Sequence, residues 1–326
     1  MARPNFNVQV AAIRQVSDRV REYLLTTIDG SPLPTYSAGS HIAVHTVSRE
    51  RGLIVRHYSL IGGNTLEDDA RNTYRIAVQR EDPARGSAHI HAPFEIGTRL
   101  QIGPPTHNFP LDRRDQNVLL IAGGIGITPI FSMARSLQRR RCDYRAFYAG
   151  RHASSMAYHS ELGGLAGERV RFHHSDSQGH PDIEALLQSQ PRGTSVYVCG
   201  PKSMIETTHA AAARLGWAPE RIRSERFTAA ISGDAKPFTV RLQRSGKTVQ
   251  VGSDVSILDA LIAEGVPVLW DCRRGECGLC PQNVVSCEGG IEHHDHYLSA
   301  EERGSDGPLC IGVSRARGGS TLVLDA

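Results

Sequence analysis

The sequence predicts a multidomain α+β protein of three successive parts: an antiparallel β-barrel, a parallel α/β sheet, and a small C-terminal domain built around a cysteine loop. Three observations lead there. Short alternating strands separated by turns fill residues 1–110, strand and helix then alternate over 111–229, and DCRRGECGLC at 271–280 sets Cys272, Cys277 and Cys280 within ten residues of domain 237–326. A chain of 326 residues is long enough for two or three domains, so core size does not limit the reading.

In the first part, FNVQVAAIRQV, VREYLLTTI, HIAVHTV, YRIAVQRE and TRLQIGPP read as strands, broken by DGSPLPTYSAGS and GNTLEDDARN. A closed antiparallel barrel fits that spacing. From residue 117 the pairs are NVLLIAGG with PIFSMARSLQRR, YRAFYAG with SMAYHSELGG, RVRFHHSD with DIEALLQSQ, and SVYVCG with PKSMIETTHAAAARLG, ending in RIRSERF. That alternation is the sequence form of a parallel sheet with crossover helices. ISGDAKP at 231–237 is polar, carries Gly233 and Pro237, and reads as a linker. Beyond it FTVRLQRSG and KTVQVG form a hairpin, and SDVSILDALIAEG a helix capped by Ser253, with Ile257, Leu258, Leu261 and Ile262 on one face and Gly265 ending it. TLVLDA is the last strand.

Charge excludes some functions. Basic and acidic residues nearly cancel, to a formal +3 without long single-sign runs, so neither nucleic acid nor a membrane surface is an expected partner. No apolar run approaches the roughly 18 residues of a membrane span, and the N-terminus lacks a signal-peptide core, so a cytoplasmic protein is expected. Seven cysteines, four of them within 272–287, are an odd count unlike a secreted disulfide scaffold. Clustered thiols in a reducing compartment point to a metal.

The spacing C-x4-C-x2-C over Cys272, Cys277 and Cys280, completed by Cys310, is the plant-type [2Fe–2S] arrangement. Zinc is the rival, although its ribbons pair two short knuckles and one stands here; four unrelated thiols are the other alternative. Gly275 and Gly278 suit a loop that must turn with positive φ and bring bare amides close to sulfide. Cys287 lies off the pattern and reads as a free thiol. With the segments below, this loop resembles the phthalate dioxygenase reductase family, which includes vanillate O-demethylase reductases, and the resemblance covers essentially the whole chain. It implies a Greek-key flavin barrel, an NAD-binding sheet and a β-grasp ferredoxin-like domain. EHHDHYLSAEER before PLCIGVSRA resembles the family's route to its fourth cysteine, and HHDH at 293–296 is expected to be a solvated loop rather than a separate metal site.

GGIGITP at 123–129 follows an apolar strand and opens a helix at Pro129, placing bare amides of Gly123, Gly124, Gly126 and Thr128 where a pyrophosphate can sit. Glycine turns also serve packing, and this is not the G-x-G-x-x-G fingerprint. With Cys199, Gly200 and Pro201, which open another helix, it resembles the pyridine-nucleotide domain of ferredoxin reductases. There the cysteine lies beside the nicotinamide, a role carried to Cys199; by itself Cys199 reads as a small buried hydrophobe. RHYSL at 56–60 resembles the R-x-Y-S motif that holds a flavin: Arg56 neutralises a phosphate, Tyr58 lies against the ring, and Ser59, beside Leu60, hydrogen-bonds its redox-active edge. Gly86 and Ser87 match the family's phosphate-binding pair. Phe227 matches a position that packs on the flavin, with a core phenylalanine the plainer alternative. The family implies FMN and NADH, although Arg151 after the second strand can accommodate a 2′-phosphate.

These parts in order form a hydride-to-single-electron transformer, with Ser59 and Cys199 at the hydride step. NADH releases two electrons together and an iron–sulfur cluster accepts one, so a flavin stands between them. No oxygen-activating set of ligands is legible, so the electrons go to an external acceptor, expected to be a Rieske-type terminal oxygenase. A haem or diiron monooxygenase, or a general acceptor, is the runner-up, and a non-catalytic redox sensor the alternative class. Arg273, Arg274 and Glu276 are the expected docking charges, and a monomer is expected.

Overall fold

The structure, a computed structural model, describes residues 5–48, 52–62, 71–80, 94–227, 235–270, 272–275, 277–304 and 307–326. The first six strands are β1 (Phe6–Ser17), β2 (Val20–Thr27), β3 (His41–Ser48), β4 (Gly52–Ser59), β5 (Thr73–Gln79) and β6 (Arg99–Ile102). They pair antiparallel in the order β4-β3-β6-β1-β2-β5. Because β6 inserts between β3 and β1, the connections are those of a Greek key rather than a meander. The sheet curls shut where Leu60 bridges Ile76 and the Ile61 amide donates to the Arg75 carbonyl at 2.9 Å. Alternate residues such as Val8, Val10, Tyr23, Leu25, Ile42 and Val44 fill the interior. The sequence reading named five strands; the sixth, β4, is the strand that carries RHYS, where polar residues interrupt the alternation.

The parallel sheet comprises β7 (Asn117–Gly123), β8 (Asp143–Gly150), β9 (Val170–His174), β10 (Ser195–Cys199) and β11 (Ile222–Glu225), ordered β11-β10-β7-β8-β9. Its central strands are continuous apolar runs because helices cover both faces: α1 (Ile127–Arg139), α2 (His159–Ala166), α3 (Ile183–Gln188) and α4 (Lys202–Arg214). The strand order reverses between β7 and β10, the switch point at which such sheets open a crevice. α1 begins two residues before Pro129, running on from a 3₁₀ turn at Gly124–Gly126, so the proline lies in the first turn, where its missing N–H costs nothing. Before α2, Tyr158 takes φ +59°, donates its hydroxyl to Glu22 of the barrel at 2.8 Å, and stacks on Phe131.

Contacts divide the chain into two compact units, Met1–Glu225 and Arg226–Ala326. The second contains β12 (Phe238–Leu242), β13 (Thr248–Val251), α5 (Ile257–Ala263), β14 (Pro281–Gln282), β15 (Val284–Cys287), β16 (Ile291–Glu292), β17 (Leu309–Cys310), β18 (Arg315–Ala316) and β19 (Thr321–Leu324). Its main sheet runs β13-β12-β19-β15 with the central pair parallel, a β-grasp, and α5 packs against it. The cap of α5 is Ser256, not Ser253. Ser256 has Asp259 three residues on, accepts its amide at 3.0 Å and donates to its carboxylate at 2.8 Å. Gly265, at φ +68°, ends the helix as expected, with amides of Gly265 and Val266 returning to the carbonyls of Ile262 and Leu261. Among the described residues no helix is long and apolar enough to cross a membrane.

Arg315 is 1% exposed and clamps this unit from inside. It donates to the carbonyls of Val255 at 2.6 Å, Gly252 at 2.7 Å and Lys236 at 3.3 Å, with its guanidinium over Phe238. Arg315→Leu is expected to cost about 3 kcal/mol, because buried carbonyls lose a charged donor, read as lost hydrogen-exchange protection of the β12 amides.

Candidate functional site

The C-terminal ends of β7 and β10 bring the two glycine motifs together. A Cβ on Gly126 would lie 2.2 Å from the Cys199 carbonyl oxygen, and one on Gly123 would lie 2.6 Å from Pro201. Gly200 in turn would press on the Gly123 backbone at 3.0 Å. Three of these glycines therefore serve loop-to-loop packing, whereas Gly124, at φ +53°, has open space above it. Thr128 is buried and its hydroxyl closes the turn on the Ile125 carbonyl at 3.1 Å. Tyr148 supports the turn from below, donating to the carbonyls of Gly124 and Ala157, and burial holds its hydroxyl well above the usual phenol range. Neither α1 nor α4 has a side-chain cap or an acidic residue in its first turn; the Ile127 amide of α1 is bonded to the carbonyls of Gly124 and Ile125, while α4 starts with open amides after Pro201.

Cys199 is fully buried at the end of β10 and stands in register with Glu225 of β11. Glu225 is buried as well, and the sequence reading missed it. The signal was available in SERF, two positions before Phe227. At the ends of β8 and β9, the Asp176 amide donates to the Arg151 carbonyl at 3.1 Å. An acidic residue therefore stands beside the basic one that the sequence offered for a ribose site.

On β4, Arg56 and Tyr58 share one side of the strand by alternation, with Tyr58 packed against the barrel core. The Arg56 guanidinium donates to the Val55 carbonyl at 3.3 Å. Ser59 is 5% exposed, and its hydroxyl has no partner among the described residues. Leu60 is buried, and its carbonyl accepts from Ser132 of α1 at 2.7 Å, while the Ser132 oxygen accepts the Gly62 amide at 3.2 Å. One hydroxyl thus joins the flavin-motif strand to the helix that follows the glycine turn. Gly86 and Ser87 lie outside the described residues.

In the second unit the cysteines meet as two pairs. Cys277 hydrogen-bonds Cys272, and Cys310 hydrogen-bonds Cys280, with Cys272 close enough to act on both members of the second pair. Crowding by Cys272 and then burial push the Cys277 thiol up strongly; Cys280 and then burial do the same to Cys310, while Cys280, accepting from Cys310, is lowered. Four such thiols ionise together only around positive charge, which fits a metal cluster. Among the described residues no three His, Cys, Asp or Glu side chains gather as one mononuclear ion requires, whereas two pairs suit two irons. The Arg274 amide points at Cys272 Sγ from 3.3 Å. Gly275 and Gly278 have φ of +74° and +71°, as expected, and a side chain on either would also strike Asp295 or the Tyr297 ring. Cys287 lies apart on β15, near the Gly290 carbonyl.

Three expectations change here. Arg273 is not a free docking charge: it bonds Asp259 at 2.5 Å and stacks over Trp270. Arg274 is 8% exposed, donates to the carbonyls of Cys272 and Arg226, and lies 5.7 Å from the half-buried Phe227 ring. Glu276 lies outside the described residues. Among the described residues beside the ligands, Leu279 and Tyr297 are exposed. Nor is HHDH wholly solvated, since the Asp295 side chain is buried and hydrogen-bonded.

A family model described as the 2Fe-2S iron–sulfur cluster binding domain matches residues 240–311, and one described as the N-terminal domain of dimethylamine monooxygenase subunit DmmA-like proteins matches 98–222. The chain is 41% identical over 321 residues to the heme-dependent oxidative N-demethylase beta subunit of Ectopseudomonas mendocina, covering 98% of each. It is 34% identical to the vanillate O-demethylase oxidoreductase of a Pseudomonas species, covering 98% of this chain and 99% of the relative. The solved structure of phthalate dioxygenase reductase superimposes with a TM-score of 0.80 at 31% identity, covering 99% of this chain and 98% of that one.

Gly126→Ala is expected to slow reduction by a pyridine nucleotide about tenfold or more, because the added methyl forces the GGIGITP and CGP loops apart. Stopped-flow absorbance measures this. An unchanged rate means that the contact between the loops does not govern the site.

Proposed function

The chain belongs to the phthalate dioxygenase reductase-like family of oxygenase reductases, and from that premise we propose that it passes electrons from NADH through FMN and a [2Fe–2S] cluster to an external terminal oxygenase. The observation that carries this reading is the meeting of Cys272 with Cys277 and of Cys280 with Cys310, in a chain that also packs two glycine turns together at a sheet switch point. When bound, the flavin supplies the exchange between paired and single electrons. This chain's residues bind and orient. Arg56, with Gly86 and Ser87, would hold the flavin's terminal phosphate; Tyr58 would lie against the ring, and Ser59 would donate to its edge. Gly123, Gly124, Gly126 and Thr128 would receive the pyrophosphate on open amides, while Cys199, Gly200 and Pro201 would set the nicotinamide.

FMN is favoured over FAD because the assigned contacts serve a terminal phosphate and no adenosine shelf is legible. NADH is favoured over NADPH because Asp176, beside Arg151, opposes a 2′-phosphate. A sensor would not need the complete nucleotide half.

A Rieske-type acceptor is supported by module order, with the ferredoxin-like domain last, and by potentials. Plant-type clusters lie near about −400 mV and Rieske centres at roughly −150 mV or above, so transfer is downhill by about four decades in equilibrium constant. A second reading, a haem-dependent N-demethylase as acceptor, is favoured by the 41% identical relative and by the match over residues 98–222.

Purified protein is expected to release FMN on denaturation and to carry about two irons per chain; recovery of FAD, or of zinc without iron, overturns the cofactor assignment. Cys277→Ser should abolish the cluster while NADH-to-ferricyanide activity persists, since that dye takes electrons from the flavin, and equal loss of both activities would show that the modules depend on one another. The partner is decided by mixing NADH and the reductase with a Rieske oxygenase or a haem N-demethylase encoded beside it. Reduction of one and not the other chooses between the readings, and reduction of neither sinks both.

A further inference from the structure

Asp295 takes no part in the roles above, yet it is 1% exposed in a unit of only about a hundred residues. A buried carboxylate is costly unless donors surround it. Here they do. The Leu298 amide donates to Oδ2 at 3.0 Å and the Ser314 hydroxyl to Oδ1 at 3.1 Å. Arg303 Nη2 lies 3.6 Å from Oδ2 and donates to the Asp295 carbonyl at 2.8 Å, and His293 Nδ1 stands 3.5 Å from Oδ1.

These contacts reach both ligand-bearing segments. The Ser314 amide donates to the Cys310 carbonyl at 2.9 Å, so the carboxylate grips the turn that follows the fourth cysteine. On the other side, the His296 amide donates to the Gly275 carbonyl at 2.9 Å, and a Cβ on Gly275 would lie 2.7 Å from the Asp295 backbone. The first three cysteines sit on that loop.

We propose that Asp295 is a positioning residue of the iron–sulfur site, fixing the Cys272–Cys280 loop against the Cys310 turn and, through its buried charge, lowering the reduction potential of the cluster they hold. The physics is direct. A negative charge held in low dielectric opposes the arrival of an electron, and Arg303 offsets part of that effect. A low potential is what a donor to an oxygenase requires, so the proposal rests on the electron-transfer reading.

The test is a redox titration of the full-length protein, following the cluster by electron paramagnetic resonance, with iron and flavin contents measured alongside. Asp295→Asn keeps the shape and removes the charge; the cluster should hold its electron about tenfold more tightly, a rise of about 59 mV for one electron. Arg303→Gln should move the potential the other way. Ser314→Ala keeps the charge but breaks the tie, so iron should pass to a chelator several-fold faster, with a smaller change in potential than in Asp295→Asn. An unmoved potential in Asp295→Asn, or shifts of the same sign in Asp295→Asn and Arg303→Gln, overturns the electrostatic role; wild-type iron retention in Ser314→Ala overturns the positioning role. If Asp295→Asn does not fold, Arg303→Gln decides, a lowered potential supporting the proposal and any other result overturning it. A wild-type protein without iron overturns the cluster reading itself, whereas iron present with unmoved potentials overturns this proposal alone.

Discussion

Four thiols meet as two close pairs, with Cys272, Cys280 and Cys310 buried and Cys277 half-buried, and the rest of the second unit is arranged around the cost of that crowding. Cys277 and Cys310 are held far from ionisation by their neighbours, so the group is at ease only around a compact positive centre. Much of the local architecture follows. Gly275 and Gly278 turn the loop inward against Asp295 and Tyr297, amides of the loop face sulfur, and Arg315 braces the sheet from beneath through backbone carbonyls. The short strands β14 and β17 pair Pro281, the residue after Cys280, with Cys310 across a two-residue ladder that would be marginal alone.

In the first unit the corresponding constraint is distance between backbones. Gly123, Gly126 and Gly200 allow two loops to approach more closely than any side chain permits. That approach sets the starts of α1 and α4 beside one another at the point where the sheet reverses its order. These glycines are therefore fixed by the packing of one loop on the other. Gly124 differs, with positive φ and nothing over it.

Most of the fold was legible because its signals are local. Apolar runs such as NVLLIA and SVYV, and the break at GGIGITP, gave strands and turns within a residue or two of where they lie. The cysteine spacing was legible for the same reason. What escaped depends on long-range packing. Ser253 and Ser256 are alike as caps until Asp259 answers one of them. Arg273 and Arg274 look like solvated charges in the sequence, and only the folded loop turns them toward Asp259, Trp270 and backbone carbonyls. HHDH looked polar and therefore exposed, but Ser314 and Leu298, far along or just past it, draw Asp295 inside. Glu225 was passed over in SERF, where Phe227 alone was weighed, because its burial comes from the pairing of β11 with β10.

The Ser132 hydroxyl, bonded to Leu60 and Gly62, has a consequence for how this architecture can be recombined. A chimera that took its barrel from one relative and its nucleotide sheet from another would leave a buried carbonyl and amide facing the wrong side chain unless Ser132 travelled with the strand it serves. The boundary between compact units falls after Glu225 and not at the turn between barrel and sheet. A recombinant that exchanges whole compact units therefore keeps residues 1–225 together as one block.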